Sequence, residues 1–531
     1  METDPKRLVN SFRQEVDITV TGLVLGILAV FLILRAAFPE TVSEDVLPTV
    51  REEMLELFGP VFALLMLLFV IFALVIIAGP WGSIRLGGQD ATPTYSYPAY
   101  FAMFFSAGIA AGIVLWATAE PLFMYGFETG DGGVAPFVDA SPGTAEAERG
   151  AMQGTFFHWG ISAWSAYVAL AIPIAYFAYN KGAPLRVSSL LMPFLGKKNL
   201  AAHPLSKLVD VLAIFATIGG VGVSVGLVGD QFLTGVEYQW ETETTTVDTV
   251  VMIAGITAIF TVSVITGVKR GIRRIAGINV ILFGLVALLA VVLGPTGYIL
   301  TNTVWAFVDY VLNFVQMNIA AVTPGGDQGW YNAWTLFYWV WWFSWAPFAG
   351  LFLASISRGR TLRTVTLTGV FGAGLATLLW FAIIGNAALY TQVEGVTDLL
   401  ALSADFPLEE VAGFAMFETF ELGELLVFGL FALIITWIVT SADTSTLIIA
   451  ILGTKPGIAP EGATRAFWAV LQGGMGLGLI VIGGADALQT AAVVTGGPIG
   501  VLILVGIVGL FWYFLQNGFR AELETEEPTA D

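Results

Sequence analysis

The chain has 531 residues, 56% hydrophobic and 12% charged, with a mean hydropathy of +0.81, a composition that places it among polytopic membrane proteins. It has no Cys and only two His, His158 and His203, which excludes a disulfide frame, a thiolate metal centre and a thiol nucleophile. The net charge is −19, yet the apolar stretches carry almost none of it. The acid therefore falls in loops and tails, as on soluble faces that meet high salt.

A mixed-charge tail, 1–17, precedes the first apolar run. Ile18–Leu34 is too long for the apolar core of a cleavable signal. Twelve segments are long enough to cross ~30 Å of hydrocarbon: 18–38, 58–79, 97–126, 150–179, 208–236, 249–267, 275–301, 330–357, 364–390, 422–452, 466–484 and 488–516. Between the seventh and eighth, 303–328 has a helical period carrying Asp309 and Asn313 and reads as an amphipathic helix on the membrane surface. With a cytoplasmic N-terminus, 19 of the 22 Lys and Arg fall on the inner side; Arg35, Arg51 and Arg149 are the exceptions. That split fixes both termini in the cytoplasm of a multi-pass cell-membrane protein.

The third span holds Gly108-Ile109-Ala110-Ala111-Gly112, then Glu120-Pro121. Small residues permit close helix approach and also bare the backbone to a ligand. An acid inside a span is a functional candidate; for Glu120, next to Pro121 near the outer end, a structural or gating role weighs equally with substrate contact. The fourth span supplies His158, Trp159, Trp164 and Tyr167. Trp164 and Tyr167 share a helix face; Trp159 lies about 140° from Trp164 on a regular helix and joins them only if the helix is distorted. His158 reads as a structural histidine. The fifth span has Gly219, Gly220, Gly222, Gly226 and Gly229 within eleven residues, more than packing alone asks for.

The densest signal is Tyr331–Phe348, YNAWTLFYWVWWFSWAPF, in which ten of eighteen residues are aromatic. Arg358, Arg360 and Arg363 follow and mark the inner face. Indole faces attract a bulky, weakly hydrated cation at about 2 kcal/mol per desolvated ring. Trp342 and Trp345 share one helix face, and Trp341 and Trp345 nearly do; in this reading they oppose the fourth-span aromatics. No Asp or Glu is expected among the rings of either span to pair with the cation, so the ligand is expected to bring its own carboxylate. The tenth span carries Thr440, Ser441 and Asp443, oxygen donors suited to Na⁺, although such hydroxyls also bond their own backbone. A channel would show a carbonyl filter or charged rings, and an enzyme would show a nucleophile–base or metal constellation; neither is evident.

At these motifs the chain resembles the betaine/carnitine/choline transporter family. WVWWFSWAPFAGLFLASISRGRTLR (339–363) is similar to that family's signature. FSAGIAAGIVLWATAEP (105–121), His158–Tyr167 and TSADTS (440–445) match its other motifs in order. The resemblance implies an all-α, LeuT-like fold of 12 transmembrane helices. Two peripheral helices (18–96) would precede inverted five-helix repeats at 97–301 and 330–516, joined by the amphipathic linker 302–329 and ended by a short acidic tail, 517–531. It implies a substrate box of Trp159, Trp164, Tyr167, Trp341, Trp342 and Trp345 beside Gly108, Ala110 and Gly112. It implies one sodium held by Thr440 and Ser441 with carbonyls near Ser106, Ile109 and Trp437, and Asp443 nearby. A second sodium position falls on Thr217, Val221 and Phe348, where Val221 offers no hydroxyl. Ala110 replaces the middle glycine of the family's stretch, and no acid enters it, which favours betaine-like zwitterions over choline. The short acidic tail lacks the basic C-terminal helix of osmosensing members. The expectation is a sodium-coupled importer of glycine betaine or a similar solute, homotrimeric, without cofactor or nucleic acid. The alternatives are a sodium-independent exchanger or a carrier of choline or another onium solute.

Overall fold

The computed structural model describes residues 11–109, 112–126, 138, 140–323 and 328–517, with the side chains of 43, 109, 266–273 and 479–488 outside the description. Among these residues the regular structure is helical apart from two isolated bridges, Val16 with Thr454 and Arg85 with Thr361. The helices are α1 (Ile18–Ala37), α2 (Leu47–Ala78), α3 (Tyr97–Ile109), α4 (Gly112–Gly126), α5 (Ala145–Trp159), α6 (Ile161–Lys181) and α7 (Pro204–Trp240). They continue with α8 (Thr246–Leu293), α9 (Thr296–Val322), α10 (Phe337–Ile356), α11 (Gly374–Val393), α12 (Leu408–Glu418), α13 (Gly423–Leu452) and α14 (Gly462–Asn517). Eleven helical segments among the described residues are long and apolar enough to cross a membrane, or twelve if α3 and α4 count as one bent span; they include α9, the stretch expected to lie along the membrane surface.

Two helical runs are far longer than a membrane is thick. Contacts show that each goes across and back. In α14, Thr464 bonds Glu15, Thr490 reaches the carbonyl of Leu47, and Phe514 packs on Tyr176. Leu47 begins α2, whose other end is tied to Arg363 at Ile77 and Gly79, so α14 leaves the arginine-bearing face, reaches the opposite one and returns. In α8, Ile253 lies against Gly229 of α7, the Val264 carbonyl accepts from Arg465, and Gly294 just beyond the helix meets Phe420. The boundary expected at 301 falls instead at Leu293. Gly294-Pro295 interrupts the helix, because Pro has no N–H and its ring clashes with a continuing turn. Helix α9 then starts at Thr296 rather than 303 and crosses α5 obliquely, through Tyr298 to Glu148, Tyr310 to Phe156 and Gln153 to Met317.

The central element is α10, where every residue but Ser355 is buried. Its close packing against α7 and α14 has a sequence cause: glycines of those helices face it. A Cβ on Gly220 would stand 2.6 Å from Trp345, one on Gly496 2.1 Å from the Val340 carbonyl, and one on Gly500 2.7 Å from Phe343. Helix α7 remains unbroken through its five glycines, and at Gly219 and Gly220 a Cβ would stand 2.7 Å from Thr495 and 2.6 Å from Trp345, so these two serve close approach. The arginine face is knitted by backbone pairing of 84–86 with 359–362. Gly359, at φ +83°, is needed there both for its left-handed backbone and because a Cβ would strike Thr92 at 2.3 Å.

Candidate substrate box and ion site

Two breaks position the aromatic residues. Helices α3 and α4 meet at 63° across Gly108–Gly112, and Gly160 (φ −81°, ψ −136°) ends α5 directly before α6. A Cβ on Gly160 would lie 2.5 Å from the Phe156 carbonyl and 3.0 Å from the Tyr310 hydroxyl. This break is the distortion that Trp159 required. Its ring now meets Trp342 at 5.0 Å and Trp341 at 6.2 Å, both edge to face, while Tyr167 meets Trp164 at 5.7 Å and Trp342 at 6.1 Å. Gly108 faces Trp164 and Tyr167, and Gly112 faces Trp341 and Trp159. Ala110 lies outside the described residues. Trp345 sits differently from its neighbours: it touches Trp341 at 6.3 Å and turns toward α7, its indole donating to the Gly220 carbonyl at 3.0 Å.

The polar edges of these rings divide into two groups. Trp159 donates to Glu120, Trp164 to Thr377, and Trp342 to the His158 carbonyl. The Tyr167 hydroxyl and the Trp341 indole N–H are buried without a partner among the described residues. Two free donors beside stacked π faces form a site with a cation-attracting wall and hydrogen bonds in reserve for an anion.

An acid does reach the box, contrary to the expectation drawn from the aromatic run alone. Glu120 is fully buried on α4 and accepts from His158 Nδ1 at 2.7 Å, Trp159 Nε1 at 2.5 Å and the Tyr338 hydroxyl at 2.8 Å. His158 Nε2 meets Thr335 Oγ1 at 2.9 Å. Both carboxylate oxygens are thereby used, and α4, α5 and the start of α10 are tied together behind Trp159. Sequence reading found Glu120 and His158 separately. No local signal in the sequence indicates that they meet.

A second cluster lies between α3, α8 and α13. Ser106, Thr440 and Ser441 are buried together, and Ser441 Oγ reaches the Ala107 carbonyl at 3.5 Å. The chain bends by 63° between Gly108 and Gly112, and near that bend the Ala107 carbonyl of α3 faces α13. Asn279 of α8 enters this cluster. It was passed over in the sequence, although a lone amide in an apolar span is a recognisable signal. Trp437 stacks on Phe283 at 5.6 Å and meets Phe105 edge on at 5.8 Å, and Phe105 in turn stacks on Trp164. Asp443 lies one turn beyond Thr440 and accepts from Ser263 at 2.6 Å. The set is all oxygen and fits a hard monovalent cation.

At the position expected for a second sodium, the Thr217 hydroxyl donates to the Ala213 carbonyl, as Thr440 does to that of Thr436, Val221 is buried, and Phe348 packs on Trp345 at 5.2 Å. Toward the arginine face, Arg360 lies 4.0 Å over the Tyr100 ring and donates to the Tyr95 carbonyl, and Tyr100 meets Ser357 at 2.8 Å.

The model of the betaine/carnitine/choline family transporters matches residues 19–518. A glycine betaine transporter of Bacillus subtilis is 33% identical over 495 residues, covering 93% of each chain. A probable glycine betaine transporter of Desulfitobacterium hafniense is 34% identical over 452 residues, 84% of this chain and 88% of that one. A glycine betaine/proline/choline/ectoine transporter of Vibrio parahaemolyticus is 30% identical over 511 residues, 95% of this chain and 87% of that one. Among solved structures, a Na⁺-coupled sialic acid symporter aligns over 86% of each chain with a TM-score of 0.46 and 16% identity.

Proposed function

The chain belongs to the betaine/carnitine/choline family of transporters, and from that premise we propose that it imports glycine betaine or a closely similar zwitterion, driven by sodium. The observation that carries the substrate class is the division of polar groups at the box. The ring faces of Trp159, Trp341 and Trp342 suit a trimethylammonium group. Glu120, the nearby acid, has both oxygens occupied by His158, Trp159 and Tyr338, so it is not a free counter-ion for choline. The unspent donors, Tyr167 Oη and Trp341 Nε1, match a carboxylate carried by the ligand itself. The relatives named for glycine betaine support this reading; the Vibrio relative, named also for proline, choline and ectoine, marks how wide the class can be.

Sodium is assigned to Ser106, Thr440 and Ser441, with carbonyls of the last turn of α3 and of Trp437. Neighbouring residues of α3 serve the two ligands: Phe105 and Gly108 touch Trp164, while Ala107 faces Ser441 of α13 and Ser106 faces Asn279 of α8. An ion that fixes the end of α3 therefore also fixes one wall of the box, which is a physical route to coupling. Two inverted five-helix repeats of the LeuT-like kind carry these breaks, with α9 lying along the outer face and the arginine face and both termini in the cytoplasm. The oligomer assigned is the family's trimer.

Competition decides the substrate class. Purified protein should release labelled glycine betaine to unlabelled betaine and to other carboxylate-bearing onium solutes, and hold it against choline. Displacement by choline as readily as by betaine refutes the zwitterion assignment.

A further inference from the structure

Asn279 lies in the third turn of the second half of α8, fully buried, beside the cluster read above as the sodium site. Its amide nitrogen Nδ2 is 2.9 Å from Ser106 Oγ, 2.9 Å from Thr440 Oγ1 and 3.2 Å from the Thr436 carbonyl. Its oxygen Oδ1 is buried with no hydrogen-bond partner among the described residues. An amide that merely glued helices together would be expected to use both ends, since an unpaired buried carbonyl is costly. Here one end is over-used and the other idle. The over-used end, moreover, is a partly positive group set among three oxygens. That is the environment a small hard cation seeks, and two of the oxygens belong to residues assigned to sodium.

The asymmetry has a simple resolution. Turning the amide by half a revolution about its last bond exchanges Nδ2 for Oδ1 at the three-oxygen position; oxygen and nitrogen of an amide occupy nearly the same shape. In the orientation present, the N–H group competes with a cation for the lone pairs of Ser106 and Thr440. In the turned orientation, the amide oxygen joins those lone pairs as a further ligand.

We propose that Asn279 is a sodium-binding residue contributed by α8, whose amide turns over to present Oδ1 to the ion held by Ser106, Thr440 and Ser441. The proposal rests on the sodium reading above and extends it from two helices to three. Because α8 also carries Phe283, stacked between Trp380 at 4.6 Å and Trp437 at 5.6 Å, the ion would reach a third wall of the same aromatic cluster.

The test titrates sodium chloride, with potassium chloride replacing it at constant ionic strength. It reads ²²Na⁺ binding to purified protein and the sodium K0.5 of betaine uptake in proteoliposomes. Asn279→Ala should raise both constants about fivefold or more, with the betaine KM at saturating sodium unchanged. Asn279→Asp, which keeps an oxygen at the same reach, should stay within about twofold of the native protein or bind tighter. If the alanine variant is not monodisperse, Asn279→Ser carries the same expectation, because its oxygen is too short to reach the ion. Unchanged or lower constants in the alanine or serine variant overturn the proposal, as does an aspartate variant as weak as alanine. A Thr440→Ala, Ser441→Ala double variant separates the two readings. If it leaves sodium dependence intact, the sodium site itself is misplaced; if it abolishes that dependence while Asn279→Ala does not alter it, only the role of Asn279 fails.

Discussion

Replacing Glu120 by Ala tests how the box is held. The carboxylate accepts three buried hydrogen bonds, from His158, Trp159 and Tyr338. Alanine leaves three donors facing a cavity. An orphaned buried donor costs about 1–3 kcal/mol, so the total before relaxation is about 3–9 kcal/mol, a large share of a domain's stability. Part of this loss should appear in function, because Trp159 is one of the three donors and its ring forms the box wall against Trp342. If only about 1.4 kcal/mol is felt at Trp159, betaine affinity falls tenfold. Glu120→Gln should lie between the two proteins. It keeps the shape and one carbonyl, and a neutral His158 with its proton on Nε2 can accept the new N–H at Nδ1 and donate to Thr335. What it loses is charge assistance, about half the strength of each bond. Thermal unfolding followed by fluorescence and betaine titration of the same samples provide the readout. An alanine variant with native Tm and native betaine Kd would show that the Glu120 network does not hold the box.

Four further outcomes follow from the same geometry. Trp342→Ala removes the ring that meets both Trp159 and Tyr167, and at about 2 kcal/mol per desolvated ring it should weaken betaine binding roughly 30-fold in a still monodisperse protein; equilibrium binding checks it. Gly108→Ala sets a methyl 2.9 Å from Trp164, so uptake should fall through a higher betaine KM, whereas Gly255→Ala, with open space around it, should not change uptake. The Thr440→Ala, Ser441→Ala double variant should lose sodium stimulation of uptake while keeping its fold by circular dichroism. Glu410, on α12 outside the spans, is pushed up to about 8, chiefly by burial and further by Asp230 and Glu409, with the Thr234 hydrogen bond opposing. A raised acid holds its proton in the folded state after the unfolded chain has lost it, so stability should fall as pH rises from about 4.5 to about 8. Glu410→Gln should flatten that slope in a series of Tm measurements, and an equally steep slope in the variant contradicts the assignment.

The sequence made some features legible because they depend on composition or on local spacing. Span positions follow from runs of apolar residues, and the all-helical fold follows from them, since a bilayer leaves a polytopic chain little else. The box residues were legible as a concentration of Trp, and the oxygen donors of α13 as consecutive hydroxyls. What stayed hidden depends on distance across the chain. Glu120 and Tyr338 are separated by 218 positions, and no local pattern says that they touch. Asn279 looked like one polar residue in an apolar run until α3 and α13 were placed beside it. The end of α8 at Leu293 was misplaced because the apolar run continues through Gly294-Pro295 and hydropathy does not register a missing N–H. The break at Gly160 was anticipated only as a requirement of Trp159; a single glycine in a helix does not by itself announce a kink.

The central claim is that one broken helix couples an aromatic box to a sodium site. Uptake of labelled glycine betaine into proteoliposomes, with and without an inward sodium gradient, tests it most directly. The account predicts accumulation above equilibrium only with the gradient, and its loss in Trp342→Ala and in the Thr440→Ala, Ser441→Ala double variant alike. Equal uptake without sodium, or exchange that requires betaine inside the vesicle and ignores the ion, would contradict it.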